Sequence, residues 1–418
     1  MKVSIHKGVG TAITVAALGY FVDIYDLVLF GVVRIDSLRG IGVPDSDITR
    51  EGEFLLNIQM IGLLIGGIIW GVLGDRKGRL SVLFGSILLY SLANIANAFI
   101  NDLVSYAVLR FIAGIGLAGE LGAGVTLVSE LMSIKTRGWG ATIIASFGAL
   151  GAVLAGAVAT IDWQVNFANW RMAYLVGGVM GIALLLLRIG VYESGMFQEI
   201  KDSDVKKGDF LQLFYRKSSF LRYLRCIVIG IPIWFVFGIL IFQSKEFAES
   251  LGLPPIVPAY TIMAAFAGLT AGDMLSGIVS QSLGSRKKAV LAFLLLSAAG
   301  IIYYLNLQKV SPGHFYFLCF LLGCGTGYWA MFMMIAAEQF GTNIRATVTT
   351  TAPNFVRGSV APVTWLFQFF RDLVFVDIKG ANVPAALVVG TVVMGLAFWA
   401  LYQMEETYGK DLNFLEEH

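Results

Sequence analysis

Six ionisable residues stand inside stretches otherwise suited to hydrocarbon: Asp23, Asp26, Arg110, Glu120, Asp273 and Arg357. A charged side chain at the centre of a bilayer costs at least about 2.5–3.5 kcal/mol on insertion scales, so such groups mark binding, proton transfer or mutual pairing. Asp23 and Asp26 lie in the run FVDIYDLVLF. They are three apart and share one helix face. At about 1.5 Å per residue, Asp23 falls near the middle of its run and Asp26 slightly beyond it. The run with Arg110 and Glu120 travels the other way, which sets Arg110 level with Asp26 and Glu120 level with Asp23. Two tasks follow. Asp26 pairs with Arg110, whereas Asp23 and Glu120 resist joint ionisation, so one of them is a proton carrier. The other reading is a static buried network of all four charges.

Arg357 sits in TTTAPNFVRGSVAP. Pro353, Gly358 and Pro362 let that helix bend and free backbone groups to line a cavity. A fixed guanidinium there can hold an anion through two parallel hydrogen bonds. The alternative is a salt bridge from Arg357 to Asp273, and the two arrangements can alternate. Tyr25, Trp234, Tyr328 and Trp329 are the aromatic candidates for shaping a pocket. Asn57, Gln59, Asn94, Asn97, Gln243 and Asn354 rank below them, being equally suited to bonds between helices. His6, His314 and His418 lie near helix ends or termini, which leaves no histidine relay. Cys226, Cys319 and Cys324 fall in apolar runs and read as small core residues. Metal-ligand spacing, a nucleotide loop and a Ser/His/Asp set are all missing. Neither an enzyme nor a bound cofactor is expected.

The elements that position these residues are long and apolar. The 418 residues are 57% hydrophobic and 14% charged, against roughly a quarter charged in soluble domains. Too few charges remain to cover a water-facing surface, so an all-α integral membrane protein is expected. A spanning helix needs about 20 apolar residues. Twelve runs qualify, near 10–33, 54–74, 80–100, 103–130, 138–161, 171–190, 223–244, 257–282, 288–307, 314–338, 346–371 and 383–404. The first run is too long for a signal-peptide core of about 7–15 residues. Lysine and arginine concentrate in alternate segments, among them Arg76, Lys77, Arg79, Arg137, Arg188, Lys206, Lys207, Arg286 and Lys287. Arg34, Arg39 and Arg371 fall on the sparser side. That bias places both termini in the cytoplasm. The net charge of +2 points to no nucleic acid partner.

The polar segment 191–222 divides the chain. It separates a six-helix bundle at 1–190 from a second at 223–404, with a cytoplasmic tail at 405–418. The halves repeat. Gly71 and Gly78 recur as Gly277 and Gly284 in the loop GIVSQSLGSRK, and Glu130 before Arg137 recurs as Glu338 before Arg345. Paired repeats around a midplane site are the sequence mark of secondary transporters.

Here the chain resembles the major facilitator superfamily. The loop signature Gly-x-x-x-Asp-Arg-x-Gly-Arg is met at Gly71, Asp75, Arg76, Gly78 and Arg79. The resemblance covers nearly the whole chain and implies twelve transmembrane helices in two pseudo-symmetric bundles. It also implies a loop latch that holds the outward-open state, joined by Glu130, Arg137, Glu338 and Arg345. Gln281 replaces the aspartate in the second copy, so a weaker or absent latch is expected there. The motif D-x-Y-D-L at Asp23–Leu27 and the series Arg110, Gly114, Gly116, Gly119, Glu120, Ser129 and Glu130 look like the metabolite, aromatic-acid and phosphate:proton symporter branches. Leu121-Gly122-Ala123 stand where that family often has a proline.

The leading expectation is a proton-coupled importer of a small anionic metabolite, a monomer in the inner or plasma membrane. Its partners would be substrate, protons and lipid. A proton-driven exporter is the alternative, although the fifth run lacks the Gly-Pro pair of exporters. A cationic or zwitterionic substrate and a transport-dead receptor are the remaining readings.

Overall fold

Backbone amides have no water to bond inside a bilayer, so these apolar runs must satisfy themselves as helices. The computed structural model describes residues 2–120, 122, 124, 137–163, 167–188, 212–342 and 344–410. Among the described residues there is no strand. The first half comprises α1 (Lys2–Gly40), α2 (Ile48–Lys77), α3 (Arg79–Asn97), α4 (Leu103–Leu117), α5 (Arg137–Thr160) and α6 (Asn169–Leu187). The second comprises α7 (Lys217–Phe235), α8 (Pro258–Leu283), α9 (Arg286–Leu305), α10 (Pro312–Gly325, then Trp329–Gln339), α11 (Arg345–Gly358, then Val360–Phe369) and α12 (Asn382–Gln403).

Nine helices among the described residues are long and apolar enough to cross a membrane, and α3 and α4 add shorter apolar ones. The twelfth is α11. Its composition is atypical because Thr347, Thr349, Thr350 and Thr351 are all buried against protein. They meet α2 across the two halves. A β-carbon on Gly71 would fall 3.2 Å from the Thr347 backbone, so a side chain there would push the helices apart. Gly78 then reverses the chain between α2 and α3 at φ +94°, a conformation that suits glycine.

Three departures from straight spans matter for the site. α10 breaks at Thr326–Tyr328, and the N–H of Ala330 in its second piece donates to Asp273 on α8 at 3.0 Å. α11 is interrupted at Ser359, beside Gly358. α7 continues as a widened π-type turn at Val236–Ile241 before the short helix Ser244–Ser250. All three fall in the second half. Most of the predicted inter-half segment, and the end of the predicted fourth run with Glu130, lie outside the described residues. α7 begins at Lys217, several residues before the expected boundary.

Candidate functional site

The seam between the halves carries a buried cluster of charge. Arg357 on α11 is 1% exposed, and its Nη2 lies 3.6 Å from Asp23 Oδ2 on α1. The same nitrogen donates to the Tyr20 hydroxyl at 3.4 Å. Tyr20 also accepts a bond from Trp329 Nε1 on α10 at 2.9 Å. Two indole rings flank the guanidinium, Trp329 at 5.6 Å and Trp234 at 5.9 Å, within range of cation–π attraction. The ion pair is long. Both Asp23 oxygens and Arg357 Nε have no hydrogen-bond partner among the described residues. Each therefore keeps capacity for a proton or an anion.

Several expected pairings are different in the structure. Arg357 does not pair with Asp273. That carboxylate accepts the Ala330 N–H and anchors the break in α10 instead. Glu120 stands within electrostatic reach of Asp23, as expected, but does not face it alone. Arg188, expected as a loop charge, is 1% exposed and binds Glu120 with both terminal nitrogens, Nη1 at 3.0 Å. Arg188 also donates to the Leu83 carbonyl at 3.0 Å. Arg110 bonds Gln59 rather than closing an ion pair on Asp26, and its guanidinium lies 5.2 Å from the Phe30 ring. Tyr25 faces away from the seam, its hydroxyl tied to the Ala173 carbonyl at 2.8 Å inside the first half. Tyr328 is likewise tied to the Ile229 carbonyl at 2.9 Å. The physical reason is common to all. Depth along a helix sets the level of a side chain, and helix rotation decides which neighbour it meets.

The sequence reading missed Tyr20 and a set of cross-half pairs near the end of α1. Arg34 meets Glu246 at 2.5 Å. Glu53 accepts from Arg371 at 2.7 Å and from Gln368 at 2.5 Å. Glu53 is 2% exposed, so these bonds are shielded from screening. Glu53 at the start of the second run was visible in the sequence, but nothing there named Arg371 as its partner.

At the opposite end, the second loop copy is stronger than Gln281 suggests. Arg286 donates to Glu338 at 3.2 Å and lies 5.0 Å from the Tyr408 ring. The Tyr408 hydroxyl bonds Gln281 at 2.8 Å. Glu406 receives the Arg286 N–H at 2.9 Å and the Ser285 hydroxyl, and so caps α9. Arg345 donates to the Ala337 carbonyl at 3.2 Å. In the first copy Arg76 is exposed. The side chains of Asp75, Arg79, Glu130 and Arg137 lie outside the described residues.

A model of the Major Facilitator Superfamily matches residues 16–364, most of the architecture just described. The chain belongs to that superfamily. This facilitator is 25% identical over 435 residues to the niacin transporter NiaP of Acinetobacter baylyi, covering 96% of this chain and 95% of that protein. It is 26% identical over 416 residues to the cis,cis-muconate transport protein of the same species, covering 94% of each. Its fold matches that of the proton:xylose symporter XylE bound to 6-bromo-6-deoxy-D-glucose, with TM-score 0.76, 18% identity and coverage of 97% and 98%. Membership makes the chain a multi-pass membrane transporter of small molecules, not an enzyme. In secondary transporters built from paired repeats, substrate sites lie near the midplane at the repeat interface.

Proposed function

We propose that this facilitator is a proton-coupled symporter that imports a small organic anion by alternating access. The observation that carries the reading is the long Asp23–Arg357 pair at the seam, with unsatisfied atoms on both sides. A proton on Asp23 removes the negative charge that occupies Arg357. The guanidinium is then free to take a carboxylate from the substrate, beside the Trp234 and Trp329 rings. When the proton leaves on the other side, Asp23 regains Arg357 and displaces the anion. Niacin and cis,cis-muconate, the named cargo of two relatives, are both carboxylates.

Asp26, Arg110 and Glu120 complete the proposed coupling set, with the charge of Glu120 balanced by Arg188. Asp273 shapes the substrate pocket by fixing the second piece of α10. The loop residues Gly71, Asp75, Arg76, Gly78 and Arg79, with Glu130, Arg137, Glu338 and Arg345, form the proposed cytoplasmic latch. Both termini are cytoplasmic in this reading.

The test is uptake of labelled nicotinate and muconate into proteoliposomes under an imposed pH gradient. Wild-type protein is expected to accumulate at least one of them when the outside is acidic, and Arg357→Gln to lose that uptake. Undiminished accumulation by Arg357→Gln sinks the anion site. Accumulation that ignores the pH gradient sinks the coupling.

A further inference from the structure

The interior of the first half holds a second polar cluster that the seam does not use. Asp26 is fully buried, and neither of its oxygens has a hydrogen-bond partner among the described residues. The Asn94 carboxamide on α3 interacts with it directly, short of a well-formed hydrogen bond. Both polar atoms of Asn94, both of Asn97, the Ser91 hydroxyl and the Tyr90 hydroxyl are also buried and unpartnered among the described residues. Ser91, Asn94 and Asn97 are three apart and line one face of α3.

The helix opposite approaches them closely through two glycines. On α6, a β-carbon at Gly177 would strike Asp26 Oδ1, and one at Gly181 would strike the Ser91 hydroxyl. Bare backbone at both places sets α6 close against the polar row. The other charged and titratable groups around Asp26 are Asp23 and Tyr25 on its own helix, Arg110 on α4, Tyr90 on α3 and Tyr174 on α6. Tyr174 is held by Tyr106 at 2.7 Å, and Arg110 keeps two unpartnered nitrogens. The row ends near solvent. Asn97 is the last residue of α3, and the exposed Asn101 follows it, tied to Arg171 at 2.9 Å.

So many unpaired polar atoms in one buried row would be costly if left dry. An unsatisfied buried donor or acceptor loses about 1–3 kcal/mol. Ordered water is the usual remedy in polar sites of this kind. From Ser91 to Asn97 the helix rises about 9 Å, the length of a short file of hydrogen-bonded waters.

We propose that Ser91, Asn94 and Asn97 hold a file of water within the first half that delivers protons to Asp26 from the Asn101 end, apart from the substrate path at the seam. A hydronium at the mouth gives its proton to the first water, each water passes one on, and the Asp26 carboxylate takes the last to become a neutral acid. Asp23, on the same helix face, is the next acceptor. The delivery role rests on the coupling proposed above; the water file does not.

X-ray radiolytic labelling of the full-length protein tests the file directly, because hydroxyl radicals form from bound water inside a protein. Tyr90 and Tyr304 are equally inaccessible to bulk solvent. Tyr90 is expected to be labelled several-fold faster than Tyr304, and Asn94→Leu to remove that excess while Tyr304 labelling stays constant. Equal labelling of Tyr90 and Tyr304 in the wild type overturns the file, as does excess labelling that survives Asn94→Leu. For delivery, the ratio of pH-driven nicotinate uptake to nicotinate counterflow is expected to fall in Asn97→Leu and to recover in Asn97→Ser. An unchanged ratio in Asn97→Leu overturns the route. Wild-type uptake that ignores the pH gradient, with Tyr90 still labelled, sinks the coupling and leaves the water file standing.

Discussion

Glu120 and Arg188 show how a buried residue takes its meaning from its partner. Their side chains are at most 1% exposed and bond each other at two points. Removing one member leaves an uncompensated buried charge, which costs about 3–5 kcal/mol, whereas replacing both with apolar groups of similar volume is often neutral. Glu120→Leu is therefore expected to lower the melting temperature in detergent sharply, and Glu120→Leu with Arg188→Met to recover most of it. If both variants melt alike, the pair does not hold that junction. The ionisable residues themselves were legible, because charges in apolar runs stand out. Their partners were less so. Asp26 and Arg110 are level, as helix rise dictates, yet Arg110 turns to Gln59. Arg188 was hidden by its position at the end of a span, where arginine normally faces lipid headgroups or water.

Elements respond to pH through their caps. Glu406 closes the start of α9 from beyond the end of α12. Partial burial pushes its carboxyl upward, but bonds from the Ser285 hydroxyl and the Tyr408, Arg286 and Lys287 amides outweigh this and hold it below the ordinary 4.5. A carboxyl depressed in the folded state stabilises fully above its unfolded value and loses that contribution as pH falls through the folded one. Melting temperature is thus expected to drop below pH 4.5 more steeply in the wild type than in Glu406→Gln. Parallel curves would show that the cap does not couple to stability. The spans were readable from hydropathy and length. The breaks were partly readable. Pro353 and Gly358 flagged α11, but nothing in the run flagged Asp273 as the group that anchors α10. Gln281 suggested a weak second loop because Tyr408 and Glu406, its neighbours in space, lie far along the chain.

At the scale of the whole molecule, the halves are joined by Arg34–Glu246 and by Glu53 with Arg371 and Gln368 at one end, and by Asp23–Arg357 and Tyr20–Trp329 deeper in. Charge-assisted bonds of this kind contribute about 1.5–3 kcal/mol each, enough to bias a two-state equilibrium. Glu53→Gln with Glu246→Gln is expected to lengthen the distance between spin labels at Asp45 and Asp377, both exposed near that end. Unchanged distances would mean that apolar packing alone closes it. The duplicated halves could be read from the matched loops, whereas the closing pairs could not, since each joins residues hundreds of positions apart. The seam pair has an electrical corollary. Moving one elementary charge across the membrane potential involves about 2.3 kcal/mol per 100 mV. With Asp23 and Arg357 neutralising each other, the return stroke of the proposed cycle moves no net charge at this pair and feels little voltage from it. In the proposed cycle a proton on Asp23 and a monovalent anion on Arg357 also cancel, so the loaded stroke carries charge only where protons and anionic charges differ in number, and capacitive recording on supported membranes can count that difference.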